Sequence, residues 1–372
     1  MSSSANMISI LVLASLAHGR FLSSSRSVSW IDPAAEPAIA SLPLKRTSEG
    51  WYAVQVTLGG SVANLLVDTG SSNLWARTSN NVSRNSAHKA VGNFSAQYGR
   101  GSVSGVVVED SILLNGGSTK PQKCRIGQAT EESDFWTKQR TIDGILGLGC
   151  SDDDSVVDAL ACVVPRTTGA MILLGPRPHR VFGLELTPEG GSLHLGGVPH
   201  DIKSNLISMP TAQSCGHWTV PLVSLSVQKS GDSTEAMQVS DAEAILDSGT
   251  NGIIGPTFSV IKLARELGAS PSKAGEGYGG EVTFYEVPCD ATMDLPSLSL
   301  VLGDKSGTTV NVALKGADLI AKADGDEDVC HLRVAGWDTQ SWILGAAFLT
   351  HVQAISFDID VGSVAIAPRL SA

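Results

Sequence analysis

Leu65-Leu66-Val67-Asp68-Thr69-Gly70-Ser71-Ser72 and, much later in the chain, Ala244-Ile245-Leu246-Asp247-Ser248-Gly249-Thr250-Asn251 are two versions of one pattern. Each has three apolar residues, an aspartate, a hydroxyl residue, a glycine and a second hydroxyl residue. A further element recurs in the same order: Ile145-Leu146-Gly147 follows the first aspartate motif, and Ile343-Leu344-Gly345 follows the second at a similar interval. Two different motifs repeating in one order imply two homologous halves in one chain. An apolar run ending in Asp-Thr-Gly reads as a strand that delivers a carboxylate to a tight turn. Glycine permits an otherwise strained backbone there, and the hydroxyls can donate to the carboxylate or its neighbours. A lone motif of this kind is most often a surface turn, but two related by pseudo-symmetry can bring Asp68 and Asp247 together. Two close carboxylates cannot both ionise easily, so they share a proton and present one acid and one base to the same water.

The rest of the composition suits such a duplicated molecule. A chain of 372 residues, 42% hydrophobic, is long enough for two lobes with a large core. Its 39 glycines, with frequent Ser, Thr and Val, indicate many short strands joined by tight turns, so mostly β structure is expected. The net charge of −11 has the wrong sign for neutralising phosphates, which excludes nucleic acid as an expected partner. The eight histidines form no HExxH and the six cysteines no CxxC, so no metal or other cofactor is expected.

The N-terminus reads as a processed leader. Met7 to Ala17 is an apolar run too short to span a bilayer but suited to a signal peptide, assigned to residues 1–19. Residues 20–46, rich in Ser, Pro and Ala, read as a non-core propeptide ending in the dibasic pair Lys45-Arg46, a site suited to a kexin-type processing protease. Removing residues 1–46 takes away four basic residues (Arg20, Arg26, Lys45, Arg46) and two acidic ones (Asp32, Glu36), moving the net charge from −11 to −13. Residues 47–200 and 201–372 are then the N-terminal and C-terminal lobes of a secreted, extracellular protein. The end Arg369-Leu370-Ser371-Ala372 carries no hydrophobic tail, so no membrane anchor is expected. Asn81 and Asn93 open sequons and are glycosylation candidates. Cys124, Cys150, Cys162, Cys215, Cys289 and Cys330 allow three disulfides. Cys150 and Cys162 flank a short helix-like stretch at Ser155–Ala161, and their pairing would leave Cys124 for Cys215. Pro256–Leu267, stopped by Gly268, is the best helix candidate, with Ile261, Ala264 and Leu267 on one face.

With these residues in view, the chain resembles the pepsin-like aspartic endopeptidases, including the fungal secreted ones, over about residues 50 to 370. The resemblance is carried by Asp68-Thr69-Gly70-Ser71-Ser72-Asn73-Leu74-Trp75, Phe94 to Ser102, Ile142 to Gly149, Gly190 to Val198, and Trp342 to Leu349. It implies an all-β, bilobal fold with pseudo-twofold symmetry and a few short helices. It also implies peptide-bond hydrolysis in which one of Asp68 and Asp247 takes a proton from water. The other, protonated, hydrogen-bonds the scissile carbonyl and later passes its proton to the leaving amine. Ser71 and Thr250 would hold the outer carboxylate oxygens. Tyr98 would be the tyrosine of a hairpin flap, bound to Trp75, with Gly99 and Arg100 beside it and Gly70 and Gly249 facing substrate. Phe135, Ile142 and Ile145 would line a pocket for a large apolar side chain of a polypeptide substrate. Cys289 and Cys330 match the family's second-lobe disulfide, and a monomer is implied.

Three positions depart from the family pattern. Arg100 stands where a small or acidic residue is common, which reads as a solvated flap cation or, more sharply, as a subsite for acidic side chains. Ala346 stands where an aspartate is frequent, altering the field near the dyad and so the pH profile. Asn251 replaces a hydroxyl residue. The rival reading is a catalytically silent family member acting as a binding or inhibitor protein. A serine hydrolase is disfavoured, since no GxSxG elbow is present.

Overall fold

The computed structural model describes residues 39–77, 89–115, 120–150, 157–164, 180–210, 217–229, 234–272, 275–277, 280–289, 295–303, 307–323 and 326–369. The signal segment, most of the propeptide, Asn81 and Cys215 lie outside them. The first half of the chain contributes strands β1 (Ala40–Arg46), β2 (Tyr52–Leu58), β3 (Ser61–Asp68), β4 (Leu74–Arg77), β5 (Gly92–Gln97), β6 (Ser102–Leu114), β7 (Gln122–Glu132) and β8 (Gly144–Gly147). After them come β9 (Val181–Thr187), β10 (Gly190–Leu195), β11 (Ile207–Pro210), β12 (Thr219–Gln228), β13 (Thr234–Leu246) and β14 (Ile253–Pro256). The fold is mainly β with short helices, as the glycine-rich, strand-like composition requires.

Both aspartate motifs sit in the same local topology. In the first half β3 runs parallel to β8, with Leu66 opposite Ile145 and Asp68 opposite Gly147, and β8 is antiparallel to β4 on its other side. In the second half β13 runs parallel to Trp342–Leu344, with Ile245 opposite Ile343, and that strand is antiparallel to β14. Each Ile-Leu-Gly element is therefore the strand laid between the aspartate strand and the strand that follows it, which is why the two motifs repeat together. Leu65, Leu66 and Val67 are all buried, so the run reads as unbroken apolar sequence, as expected of a strand covered on both faces.

The two halves are not separate sheets. One thirteen-stranded sheet runs from β11 through Ser363–Pro368, Val352–Asp358, β9, β10, β1, β2, β3, β8, β4, β7 and β6 to β5, so C-terminal strands are hydrogen-bonded into the sheet of the first lobe. A nine-stranded sheet holds β12, β13 and β14 with later strands, and Ser270–Pro271, Tyr285–Pro288, Asp326–Leu332 and Ile320–Ala323 form a four-stranded sheet.

Strand β1 departs from the sequence reading. Residues 40–46, assigned to the removable propeptide, lie between β10 and β2, with Leu42 at 0% and Leu44 at 4% exposure. Pro43 hides the strand in the sequence because proline is rare inside sheets. Pairing with β2 begins only at Leu44, so Pro43 stands opposite Ser192 of β10 alone and interrupts one ladder fewer than a fully flanked residue would. The stretch is further held by Ser41, whose hydroxyl lies 2.8 Å from His194 Nδ1, and by His194 Nε2, 2.6 Å from Glu185.

The helix Thr257–Glu266 forms as its pattern predicts, and Gly268 follows with φ of +75°. Its buried face is Val260, Leu263, Ala264 and Leu267, so Ala264 and Leu267 face inward as expected, while Ile261 is exposed and Val260 and Leu263 take its place. The short helix expected at 155–161 is Ala159–Val163. Cys289 and Cys330 are bonded, as the resemblance implies. The Cys150–Cys162 pairing is overturned: Cys162 bonds Cys124, because the helix packs its cysteine against β7. Cys150 is disulfide-bonded as well. Among the described residues no helix is long and apolar enough to cross a membrane.

Candidate active site

Asp68 ends β3 and Asp247 directly follows β13, so each carboxylate leaves a sheet at the start of a turn. The turns interlock through their hydroxyl residues. The Thr69 amide donates to Ser248 Oγ at 3.1 Å, and the Ser248 amide to Thr69 Oγ1 at 2.9 Å. Thr69 Oγ1 then donates to the Leu246 carbonyl and Ser248 Oγ to the Val67 carbonyl, both at 2.7 Å. Thr69 and Ser248 are buried, and this four-bond clasp fixes one motif against the other. Their role was missed in the sequence, although the signal was present as a hydroxyl residue after each aspartate.

The carboxylates are held symmetrically. Asp68 Oδ1 accepts from the Gly70 amide at 2.9 Å and Oδ2 from the Ser71 hydroxyl at 2.5 Å. Asp247 Oδ1 accepts from the Gly249 amide at 2.8 Å and Oδ2 from the Thr250 hydroxyl at 2.6 Å. Each glycine is required by the opposing aspartate: a methyl on Gly70 would stand 2.5 Å from the Asp247 carboxyl carbon, and one on Gly249 would collide with the Asp68 carboxylate. Neither glycine has positive φ, so close approach, not backbone strain, explains them.

Burial separates the two acids. Asp68 is 6% exposed, whereas Asp247 is half-buried. Desolvation first, and then the facing Asp247 charge, push the Asp68 carboxyl up to about 8, against the opposing pull of the Ser71 and Gly70 hydrogen bonds. Burial and the facing carboxylate thus both favour the protonated form of Asp68. Ala346, fully buried at the start of the helix Ala346–Leu349, donates its amide to the Thr250 carbonyl at 2.7 Å and adds no charge there. Asn251 donates its side-chain amide to the Glu49 carbonyl at 2.7 Å, tying the second motif to the segment before β2.

The β5–β6 hairpin supplies the other wall. Its turn is closed by the Tyr98 amide donating to the Gly101 carbonyl at 2.9 Å. The left-handed conformation belongs to Gly101, with φ of +82°, and not to Gly99. Trp75 Nε1 donates to the Tyr98 hydroxyl at 2.7 Å. Burial, above all, holds the Tyr98 phenol protonated by raising it above the ordinary tyrosine range. Helix α1 (Asp134–Lys138) lies beside this hairpin and presents Phe135, partly buried, while Trp136 is inside. Ile142 and Ile145, expected in a pocket wall, are each 1% exposed and share a buried cluster with Trp75 and Trp136, against which Tyr98 and Phe135 pack. Asn93 is exposed on β5.

A second residue missed in the sequence is Arg77. It is 8% exposed, and its guanidinium donates to Glu132 at 2.8 Å, to the Gln139 and Ile142 carbonyls at 2.7 and 2.8 Å, and to the Trp136 carbonyl. One cation thus binds β4 to β7 and to the backbone around α1. No sequence signal distinguishes it from a strand-ending surface arginine. Breaking a buried charge network of this kind costs about 3–5 kcal/mol. Arg77→Met is expected to show that loss as a lower thermal midpoint and a smaller denaturant midpoint. A change under about 0.5 kcal/mol would mean that the network adds nothing to stability.

An internally duplicated, strand-rich chain in which each half contributes one aspartate to a shared, proton-linked pair defines the pepsin-like class of aspartic proteases. The chain belongs to the eukaryotic aspartyl protease family, whose model matches residues 51–369. It is 29% identical over 341 residues to an aspartic protease of Phaffia rhodozyma, a match covering 88% of this chain and 78% of that protein. It is 30% identical over 344 residues to cathepsin E of Rattus norvegicus, covering 86% and 80%, and 30% over 337 residues to rhizopuspepsin-1 of Rhizopus niveus, covering 85% and 78%. The protein is an aspartic-type endopeptidase, a hydrolase acting on polypeptides.

Proposed function

We propose that Asp68 and Asp247 are the catalytic dyad of this endopeptidase. The observation that carries it is the matched pair of carboxylates, each held by its own glycine amide and hydroxyl and each packed against the glycine of the other turn. Half-buried Asp247 is the base that takes a proton from water, and protonated Asp68 hydrogen-bonds the scissile carbonyl and polarises it. The water oxygen adds to the carbonyl carbon, the carbon–nitrogen bond breaks, and the dyad delivers a proton to the departing amine. Ser71 and Thr250 keep the outer oxygens engaged, and the Tyr98 hairpin closes over substrate and excludes water. Phe135 meets apolar side chains next to the cut bond. The leader at residues 1–19 sends the protein outside the cell, where the disulfides are stable, and exposed Asn93 is the sequon open to glycosylation.

The test is hydrolysis of denatured casein between pH 3 and pH 7, with a statine-type inhibitor in parallel. Cleavage that the inhibitor abolishes is the expected result. Cleavage insensitive to it, or none across the range, would remove the dyad from this role.

A further inference from the structure

The tip of the β5–β6 hairpin carries a cation that the dyad chemistry does not use. Arg100 lies between Gly99 and Gly101 and is exposed, with its guanidinium carbon 4.8 Å above the centre of the Phe135 ring. That ring is itself well supported. It meets Trp51 edge-on with centroids 6.0 Å apart and Trp136 at 5.1 Å, and Arg77 holds the carbonyl of Trp136 from below. Trp136 also packs edge-on against Tyr98, with ring centroids 5.4 Å apart. The cation therefore sits on a fixed aromatic platform at the mouth of the catalytic site.

A cation held over a ring face spends none of its N–H donors on an oxygen acceptor, so they stay available to a ligand. In a chain of net charge −11, Arg100 makes no ion pair with a carboxylate among the described residues. A planar fork of unused donors beside the reacting centre matches a carboxylate, which it can bind with two parallel hydrogen bonds. Arginine on the ring also covers part of the apolar surface that a neutral side chain would otherwise fill.

We propose that Arg100 is a specificity-determining residue that selects polypeptides carrying Glu or Asp beside the scissile bond. This rests on the dyad assignment above. The experiment compares matched peptides that differ only by Glu, Gln or Ala at that position, at pH 5.5, where the peptide carboxylate is ionised. The expected kcat/KM ratio of Glu over Gln is about tenfold, the size of one charge-assisted contact of about 1.4 kcal/mol. In Arg100→Gln that ratio falls to one or below, and in Arg100→Lys it is intermediate because charge survives but the fork is lost. A Phe135→Leu variant, which removes the platform, also lowers the ratio. Matched statine-type inhibitors with Glu or Gln at the same place give the selectivity as a ratio of Kd values. Equal cleavage of the Glu and Gln peptides by the unaltered enzyme would overturn the Arg100 proposal and leave the dyad standing. No cleavage of any peptide, with no inhibitor binding, would overturn both.

Discussion

Asp68→Asn is expected to reduce peptide hydrolysis by about a thousandfold or more in kcat, the scale of losing positioned acid–base catalysis. Asparagine keeps the size of the side chain and an oxygen for the Gly70 amide, so substrate binding changes far less than turnover. The same substitution has an opposite effect on stability, and its sign follows from burial. The Asp68 carboxyl is raised from 3.8 to about 8, so its charged form is disfavoured in the folded state. A carboxyl raised in this way contributes its stability in full below pH 3.8, and that contribution is lost as the pH rises through about 8. The unaltered protein should therefore lose thermal midpoint between pH 4 and pH 8. Asparagine cannot ionise, so the variant should lose less over the same interval and be the more stable of the two at pH 8. Thermal melts at pH 4, 6 and 8 check this. Parallel midpoint curves for the two proteins would show that the buried charge does not cost stability as its surroundings demand.

A chain beginning at Thr47 is expected to fail to hold the fold, whereas one beginning at Pro37 folds. Loss of β1 exposes the groove that buries Leu42 and Leu44 and strips the pairing partners of β10 along six residue pairs. Each buried leucine is worth about 1.5–3 kcal/mol. Each lost backbone hydrogen bond adds about 0.5–1.5 kcal/mol. Together these rival the whole stability of a typical domain, about 5–15 kcal/mol. No substitute strand is at hand, because Thr47 to Trp51 is a turn, closed by the Thr47 amide on the Trp51 carbonyl at 2.7 Å and the Gly50 amide on the Thr47 carbonyl at 3.0 Å. The Lys45-Arg46 pair is also poorly placed for a processing protease in the folded chain, since Lys45 is paired to both Gly190 and Ala53 and Arg46 donates to the Pro188 carbonyl at 2.8 Å. Circular dichroism melts of the two chain lengths decide the matter: a cooperative melt at the same temperature for both would make β1 dispensable. Leu42→Asp in the longer chain is a milder version, expected to lower the midpoint strongly.

The duplicated fold and its two aspartates were legible because they are written in local chemistry. Leu65-Leu66-Val67 before Asp68 and Ala244-Ile245-Leu246 before Asp247 are strand sequences, and a glycine and two hydroxyls behind each aspartate are turn sequences. The helix Thr257–Glu266 was legible for the same reason, its apolar spacing and its glycine stop both lying within a few residues. What escaped were relations between distant residues. Arg77 reads as an ordinary strand end until Glu132, Gln139, Ile142 and Trp136 are folded around it. Cys124 and Cys162 are 38 residues apart, and nothing between them tells which cysteine β7 will meet.

The sequence alone determined that this chain is built twice over, mainly from strands, with one aspartate from each half at a turn, because apolar strand runs and turn chemistry act over a few residues. Only the tertiary structure decided that Gly70 and Gly249 serve the opposite carboxylate, that Thr69 and Ser248 clasp the turns, that Asp68 is the more buried of the two carboxyls, and that residues 40–46 are core. Each of these depends on groups brought together from far along the chain, where burial and the facing charge, not the local pattern, set the energy.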